Sequence, residues 1–292
     1  VPTTAELAPL ARRIWRRLEP LHTITYFAKE SHAAWEAVGM KGFWMGYFAT
    51  RAAALGPVGP KLVTATFFNF HRSRVERAVP DCWHITSPGA ILKARHDGMV
   101  DALTAIVDIN LEDLATLAPM ATDYAEAACG EIAGRPLFAA HTEQPWPGEG
   151  AAMQAWWAAT LIREHRGDGH IAALVDAGVG PCEALVLQST YTPIPRETLQ
   201  GSRRWPDDEW DAAVESLASR GWITGDGLPT AAGSAGLAAI EHRTDELATT
   251  PLRTVGLDAA AALAEAALPV AQAVMKSGVV PAVTPIFSDD LA

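Results

Sequence analysis

The sequence predicts a mostly α fold, with an all-α domain over 1–181 followed by a degenerate winged-helix domain over 182–292 that carries a short β-hairpin and C-terminal helices. Two observations predict the first part. Apolar residues recur at helical spacing through most of the first 190 residues, and Gly/Pro clusters at 56–60, 79–81, 134–136 and 145–148 cut that pattern into helix-sized pieces. A third observation predicts the second part: from Cys182 the order becomes helix, helix, short hairpin, helix.

The helical stretches run over 5–19, 22–38, 42–55, 62–78, 88–107, 111–131 and 151–177. After Cys182 come a short helix, a break from Pro193 to Arg196, and a helix opened by Asp207, whose charge suits a first turn. Arg220-Gly221-Trp222-Ile223-Thr224-Gly225-Asp226-Gly227 reads as the hairpin, its glycines supplying the turn. Thr230 is the N-cap of a helix reaching Ala248, and the alanine-rich 259–267 favours helix again.

With 292 residues, 49% of them hydrophobic and 20% charged, the chain has globular composition and length for two domains. No uninterrupted apolar run approaches the roughly 18 residues of a membrane span, so no membrane partner is expected. The start, Val1-Pro2-Thr3-Thr4, lacks a basic segment followed by an apolar one, which points to a cytoplasmic protein. Cys82, Cys129 and Cys182 are scattered singly, without the spacing of a disulfide framework or a cysteine-rich zinc site. The net charge of −11 works against a nucleic-acid partner.

The run Leu217-x-x-Arg220-Gly221-Trp222-Ile223, followed by Leu228-x-Thr230-x-x-Gly233, resembles the wing of multiple-antibiotic-resistance-type regulators. In such regulators the helix before the wing enters the major groove and presents Arg, Lys, Asn or Gln. Here that helix reads Asp207-Asp208-Glu209-Trp210-Asp211, with Glu215 beyond, and only Arg203 and Arg204 precede it. Two arginines do not offset five carboxylates when screening is short-range, so DNA binding ranks last among the expected functions.

Three helical faces carry an ionisable group among apolar neighbours. Trp44, Tyr47, Phe48 and Arg51 share one; Thr64, Phe67, Phe68, His71 and Val75 share another; Trp157, Leu161, Ile171 and Val175 share the third with Glu164 and Asp168. A buried charge is costly unless paired, so these groups are expected to meet one another or a ligand. A closed network of Arg51 with Glu164 or Asp168 and a working polar pocket are equally compatible with the pattern. Gly167 and Gly169 inside the helical run suggest close approach of a neighbour. His165 and His170 stand five apart and do not make a HExxH zinc helix. A looser metal site drawn from His71, Glu164, His165 and Asp168 stays open, as does haem with His71 as axial ligand. His22, Tyr26 and Glu30 recur at i, i+4 and are read first as a solvated face, second as an acid/base set.

Taken together, Lys41-Gly42-Phe43-Trp44-Met45-Gly46-Tyr47-Phe48, Gly56-Pro57-Val58-Gly59-Pro60, Phe68-Asn69-Phe70-His71, Gly134-Arg135-Pro136-Leu137-Phe138-Ala139-Ala140-His141 and Arg163-Glu164-His165-Arg166-Gly167-Asp168-Gly169-His170 resemble an actinobacterial family labelled only as helix-turn-helix. The resemblance spans nearly the whole chain and implies the fold but no reaction. The leading expectation is a small-molecule pocket in the helical domain, lined by Trp44, Tyr47, Arg51, Phe68 and Trp157 and closed by Gly167 and His170. In it His71, Glu164 and Asp168 would perform acid–base chemistry on a small anionic or aromatic substrate. The second expectation is a non-catalytic ligand sensor or partner-binding protein whose winged helix serves as a homodimer platform. A winged-helix DNA-binding regulator comes third.

Overall fold

The computed structural model describes residues 2–281 apart from 107 and 149. Helix α1 (Thr4–Phe27) starts at a capping box, with the Thr3 side chain accepting from the Glu6 amide while the Glu6 carboxylate accepts from the Thr3 amide. It runs straight past the boundary expected near residue 20. Pro20 forfeits only one backbone bond there, and Leu18, Leu21 and Ile24 around it are fully buried, so packing carries the helix through. The chain turns at Ala28 instead and continues as α2 (Lys29–Ala37) and α3 (Gly42–Ala52).

The stretch 62–78 is not one helix. It divides into α4 (Pro60–Phe67) and α5 (Arg72–Val75), because Phe68 adopts φ +55, a left-handed conformation that ends α4 and costs of order 1–3 kcal/mol. The common face expected for Phe67, Phe68 and His71 therefore does not exist. Next come α6 (Asp81–Ile85), α7 (Pro88–Ala105), α8 (Leu111–Ala128), α9 (Pro136–Thr142) and α10 (Gly150–Asp176). Residue 107, where the sequence reading ended the α7 stretch, lies outside the described residues, as do residues 282–292 of the expected second domain. Helix α9 falls where Gly134-Arg135-Pro136 reads as a break; Pro136 is its first residue, where a missing N–H costs nothing.

The C-terminal part comprises α11 (Pro181–Tyr191), α12 (Arg196–Arg203), α13 (Asp207–Ser219), α14 (Ala231–Leu247), α15 (Thr250–Val255) and α16 (Leu257–Ser277). Three cores organise these elements. The largest joins α1, α8, α10 and α16 around Leu18, Leu117, Trp156 and Leu263. An aromatic core gathers Trp35, Tyr47, Phe48, Phe67 and Phe70. The third joins the end of α10, through Ala173 and Leu174, to α11–α14 around Leu185, Leu199, Trp210 and Ile240. Helix α16 is long and apolar enough by length and composition to cross a membrane, but its Leu263, Ala267, Val270 and Val274 are packed into the first core against α1 and α8.

The expected hairpin is absent: among the described residues there is no strand, only an isolated antiparallel bridge between Ile223 and Pro229. Pro229 has no N–H to complete a ladder pair, so pairing stops there. In place of a ladder, the Tyr191 hydroxyl ties the turn together, donating to the carbonyl of Trp222 at 2.6 Å and accepting from the Thr230 amide at 2.9 Å. Thr230 caps α14 by accepting from the Gly233 amide at 3.0 Å. A Cβ on Gly233 would lie 2.0 Å from both the Trp222 carbonyl oxygen and the Tyr191 hydroxyl. Gly233→Ala should therefore destabilise by about 1–3 kcal/mol in urea unfolding, although the same change in an open helix stabilises by about 1 kcal/mol. A stabilised variant would show that the turn has room to move.

Candidate functional site

Helices α1, α3, α7, α9 and α10 enclose a cluster of charges. Glu164 on α10 is buried and accepts from Arg163 at 2.7 Å and from Arg51 of α3 at 3.4 Å. Arg51 also donates to the Tyr47 hydroxyl at 2.8 Å and lies 4.2 Å over the Phe67 ring. Burial opposes ionisation of Glu164, yet Arg163 and Arg51 hold its carboxyl far below the usual range. Of the residues expected to line a pocket, the structure thus brings together Tyr47, Arg51 and Glu164, in the closed ion-pair arrangement.

Several members of this cluster do not stand out in the sequence. Glu19, fully buried on α1, lies 3.6 Å from Arg163; burial pushes its carboxyl up against the pull of that arginine. His22 bridges the Thr160 and Tyr26 hydroxyls at 3.0 and 2.9 Å, and all three are buried, so the solvated-face reading of His22 and Tyr26 fails. Glu30 does not join them; its carboxylate sits 3.8 Å from Lys29. Arg95 of α7 donates to His141 Nε2 at 3.1 Å and lies over the rings of Trp156 and Trp157. Tyr26 at i+4 from His22 is the one sequence signal that pointed here.

Trp157 joins the cluster at its Arg95 end, and the other expected site residues work elsewhere. Asp168 accepts from the amides of Leu137 and Phe138 at 3.0 and 2.9 Å and so caps α9. Burial nevertheless pushes its carboxyl up to about 6. His165 packs against Phe138, and His170 meets the Thr244 hydroxyl at 3.0 Å, joining α10 to α14. Gly167 has only ordinary neighbours; the tight glycine is Gly169, where a Cβ would come within 2.7 Å of the Arg135 guanidinium. Trp157 packs beside His141, Trp44 is half-buried beneath Arg74, and Phe68 packs against the third core. His71 caps α5, with Nδ1 on Ser73 at 2.8 Å and Nε2 on Glu209 at 3.2 Å, so both ring nitrogens are engaged and neither is open to haem. His71, Glu164, His165 and Asp168 therefore do not converge on a metal position, and among the described residues no group of three or more His, Cys, Asp or Glu does.

The segment 68–74 instead docks onto the α12–α13 pair. The His71 amide donates to the Arg203 carbonyl at 3.1 Å, Trp205 Nε1 to the Asn69 carbonyl at 2.9 Å, and Arg74 to the Gly201 carbonyl at 2.7 Å. The tight turn between α12 and α13 is made by Arg204 at φ +64, Trp205 and Pro206. Much of the acid on α13 is paired: Arg196 lies 3.2 Å from both Asp207 and Asp211, and His71 takes Glu209. Asp208 and Glu215 form no ion pair among the described residues. Beside the turn, Arg72, Arg77 and Arg204 are exposed and likewise form no ion pair among the described residues.

Two short helices joined by a tight turn, followed by a tied turn and a long helix, define a helix-turn-helix protein. A family model described as a helix-turn-helix family matches residues 11–281, and the chain belongs to that family. No curated protein and no solved structure matches the chain. The family match overturns the ranking drawn from sequence, in which a small-molecule enzyme came first and DNA binding last. That ranking counted five carboxylates on α13 as free charge. Three of them lie against Arg196 or His71, and the cationic groups beside the turn come largely from the distant segment 72–77.

Proposed function

We propose that this chain is a cytoplasmic DNA-binding regulator that holds duplex DNA at its α12–α13 turn, with the phosphate contacts supplied by Arg72, Arg74, Arg77 and Arg204. The observation that carries this reading is the crowding of like charge. Arg74 is depressed from the usual arginine range first by burial and then by the charges of Arg204 and Arg77. Among residues 72–77 only Glu76 is acidic. Such a cationic patch gains from a phosphate and releases counterions when it meets one. It flanks the turn that other helix-turn-helix proteins set across the backbone. Asp208 and Glu215, two turns apart on one face of α13, are the acceptors left to meet the amino group of cytosine. The turn before α14 carries Asp226, bonded by the Thr224 hydroxyl at 2.5 Å, and is left out of the phosphate contact. In this reading the domain division at 181/182 falls just inside the start of α11, the first helix of the helix-turn-helix unit.

The test is fluorescence anisotropy of a labelled random duplex across a salt series. Four phosphate contacts give a slope of log K against log salt of about −3 to −4. In Arg77→Gln/Arg204→Asn, where Asn tolerates the left-handed turn position, the slope should become shallower by about 2. Absence of salt-dependent binding by the wild type, or an unchanged slope in the double variant, overturns the reading.

A further inference from the structure

The charge cluster is incomplete at one end. Arg95 is 4% exposed, and among the described residues its one hydrogen bond is to His141. His141 donates Nδ1–H to the Leu137 carbonyl at 2.8 Å, which leaves Nε2 as an acceptor and the ring neutral. No carboxylate lies within ion-pair distance of Arg95 among the described residues. Among those residues its Nε and Nη2 have no hydrogen-bond partner, nor do the indole N–H groups of Trp156 and Trp157, over whose rings the guanidinium lies at 5.2 and 6.0 Å. All four orphaned atoms are donors. The orphaned acceptors, Glu19 Oε1 and Glu164 Oε1, belong to carboxylates already paired with Arg163 and Arg51.

The charge balance leads the same way. Arg51, Arg95 and Arg163 bring three positive charges into one interior, against Glu164, held ionised, and Glu19, whose ionisation burial opposes. A buried guanidinium with two unmet nitrogens, three N–H donors between them, is strongly unfavourable unless an anion or water meets it. The positive excess selects an anion, and the planar fork of arginine together with indole donors selects oxygen acceptors.

We propose that Arg95, with Trp156 and Trp157, forms an internal site for a small oxyanion of the carboxylate or phosphate type. The site is independent of the DNA-binding reading, because its readouts contain no DNA.

The experiment uses the full chain exchanged into sodium fluoride and titrated with sodium acetate or sodium phosphate at constant ionic strength, following thermal unfolding and tryptophan fluorescence. The wild type should show a saturable fluorescence change and a rise in Tm of about 5 °C at a hundredfold excess over Kd. Arg95→Met should lose both responses and, in fluoride alone, unfold at a higher temperature than the wild type, since the uncompensated charge is gone. Arg95→Lys should keep the response at about tenfold weaker affinity. If neither anion acts on the wild type, or if Arg95→Met responds as the wild type does, the proposal is overturned. An Arg95→Met protein less stable than the wild type in fluoride overturns it too, because water then satisfies the guanidinium. Should Arg95→Met fail to fold, the wild-type titration and Arg95→Lys decide: a saturable response weakened in the lysine variant supports the site, and an equal response in both removes it.

Discussion

Glu164→Ala is expected to cost about 3–5 kcal/mol of unfolding free energy, the range for removing one partner of a buried ion pair. Glu164 is 1% exposed and is shared by two guanidiniums, at 2.7 Å from Arg163 and 3.4 Å from Arg51. Without it those two charges stay in the interior with Glu19 as the nearest carboxylate, 3.6 Å from Arg163, and burial opposes ionisation of Glu19. Glu164→Gln keeps the volume and loses the charge, so it should recover only a small part of the stability. The pair Arg51→Met with Glu164→Leu should be less destabilised than the sum of the two single changes, because each single change orphans a charge that the other removes. Urea unfolding at neutral pH measures all five variants. A Glu164→Ala loss under about 1 kcal/mol would mean that the two arginines are satisfied by other groups.

Half of this cluster is legible from spacing alone. Tyr47 and Arg51 are one turn apart on α3, and Glu164 falls on the apolar stripe of α10, so a periodicity argument places an arginine and a glutamate on buried faces. The same argument misplaces His71. It continues helical phase through Phe68, whose left-handed backbone ends α4, and every face assignment beyond that residue is lost. Pro20 is the opposite case: it reads as a break, yet buried neighbours on both sides hold α1 together. Local chemistry marks a proline or an apolar residue equally well in both settings, and tertiary packing decides which one interrupts the chain.

Arg95 and His141 escape the sequence reading for a different reason. Each is a single polar residue on a short or mixed face, and their meaning comes from convergence of α7 and α9 on α10. Pro136, a helix-start residue ahead of Leu137 and Phe138, was the available signal for α9. Charge counting on α13 fails similarly. Asp207 and Asp211 are one turn apart and read as a repulsive pair, but Arg196 from α12 lies between them. Ion pairing across elements is a property of the fold, and a linear count of charge does not contain it.

Acid should destabilise the protein steeply between pH 6.5 and 4. His22, His141 and His165 are buried and neutral, and burial is the largest cause in each case, reinforced by nearby arginines. His141 is pushed down to about 4 and His165 to about 3, and His22 lies well below its ordinary 6.5. As pH falls through 6.5 the unfolded chain takes up these protons while the folded protein refuses them. The stability is therefore complete above 6.5 and is lost toward the folded values. His141 alone accounts for about 3 kcal/mol by pH 4. Asp168 opposes the trend: with its carboxyl pushed up to about 6, the folded protein protonates first and regains stability over part of the same interval. Glu19, its carboxyl likewise pushed up by burial, opposes it too, while His170, lowered first by burial, joins the other imidazoles. Two carboxyls do not outweigh four imidazoles, so a net uptake of about two protons on unfolding remains, a slope of about 2.7 kcal/mol per pH unit near pH 5. His165 tests the assignment most directly, because its Nε2 has no hydrogen-bond partner among the described residues and its ring packs on Phe138. His165→Leu should reduce the slope by about one proton with little loss at pH 7.5, measured as urea midpoints at pH 7.5, 6 and 5. A wild-type midpoint that stays constant from pH 7 to 5 would mean that these rings reach solvent and titrate normally in the folded state.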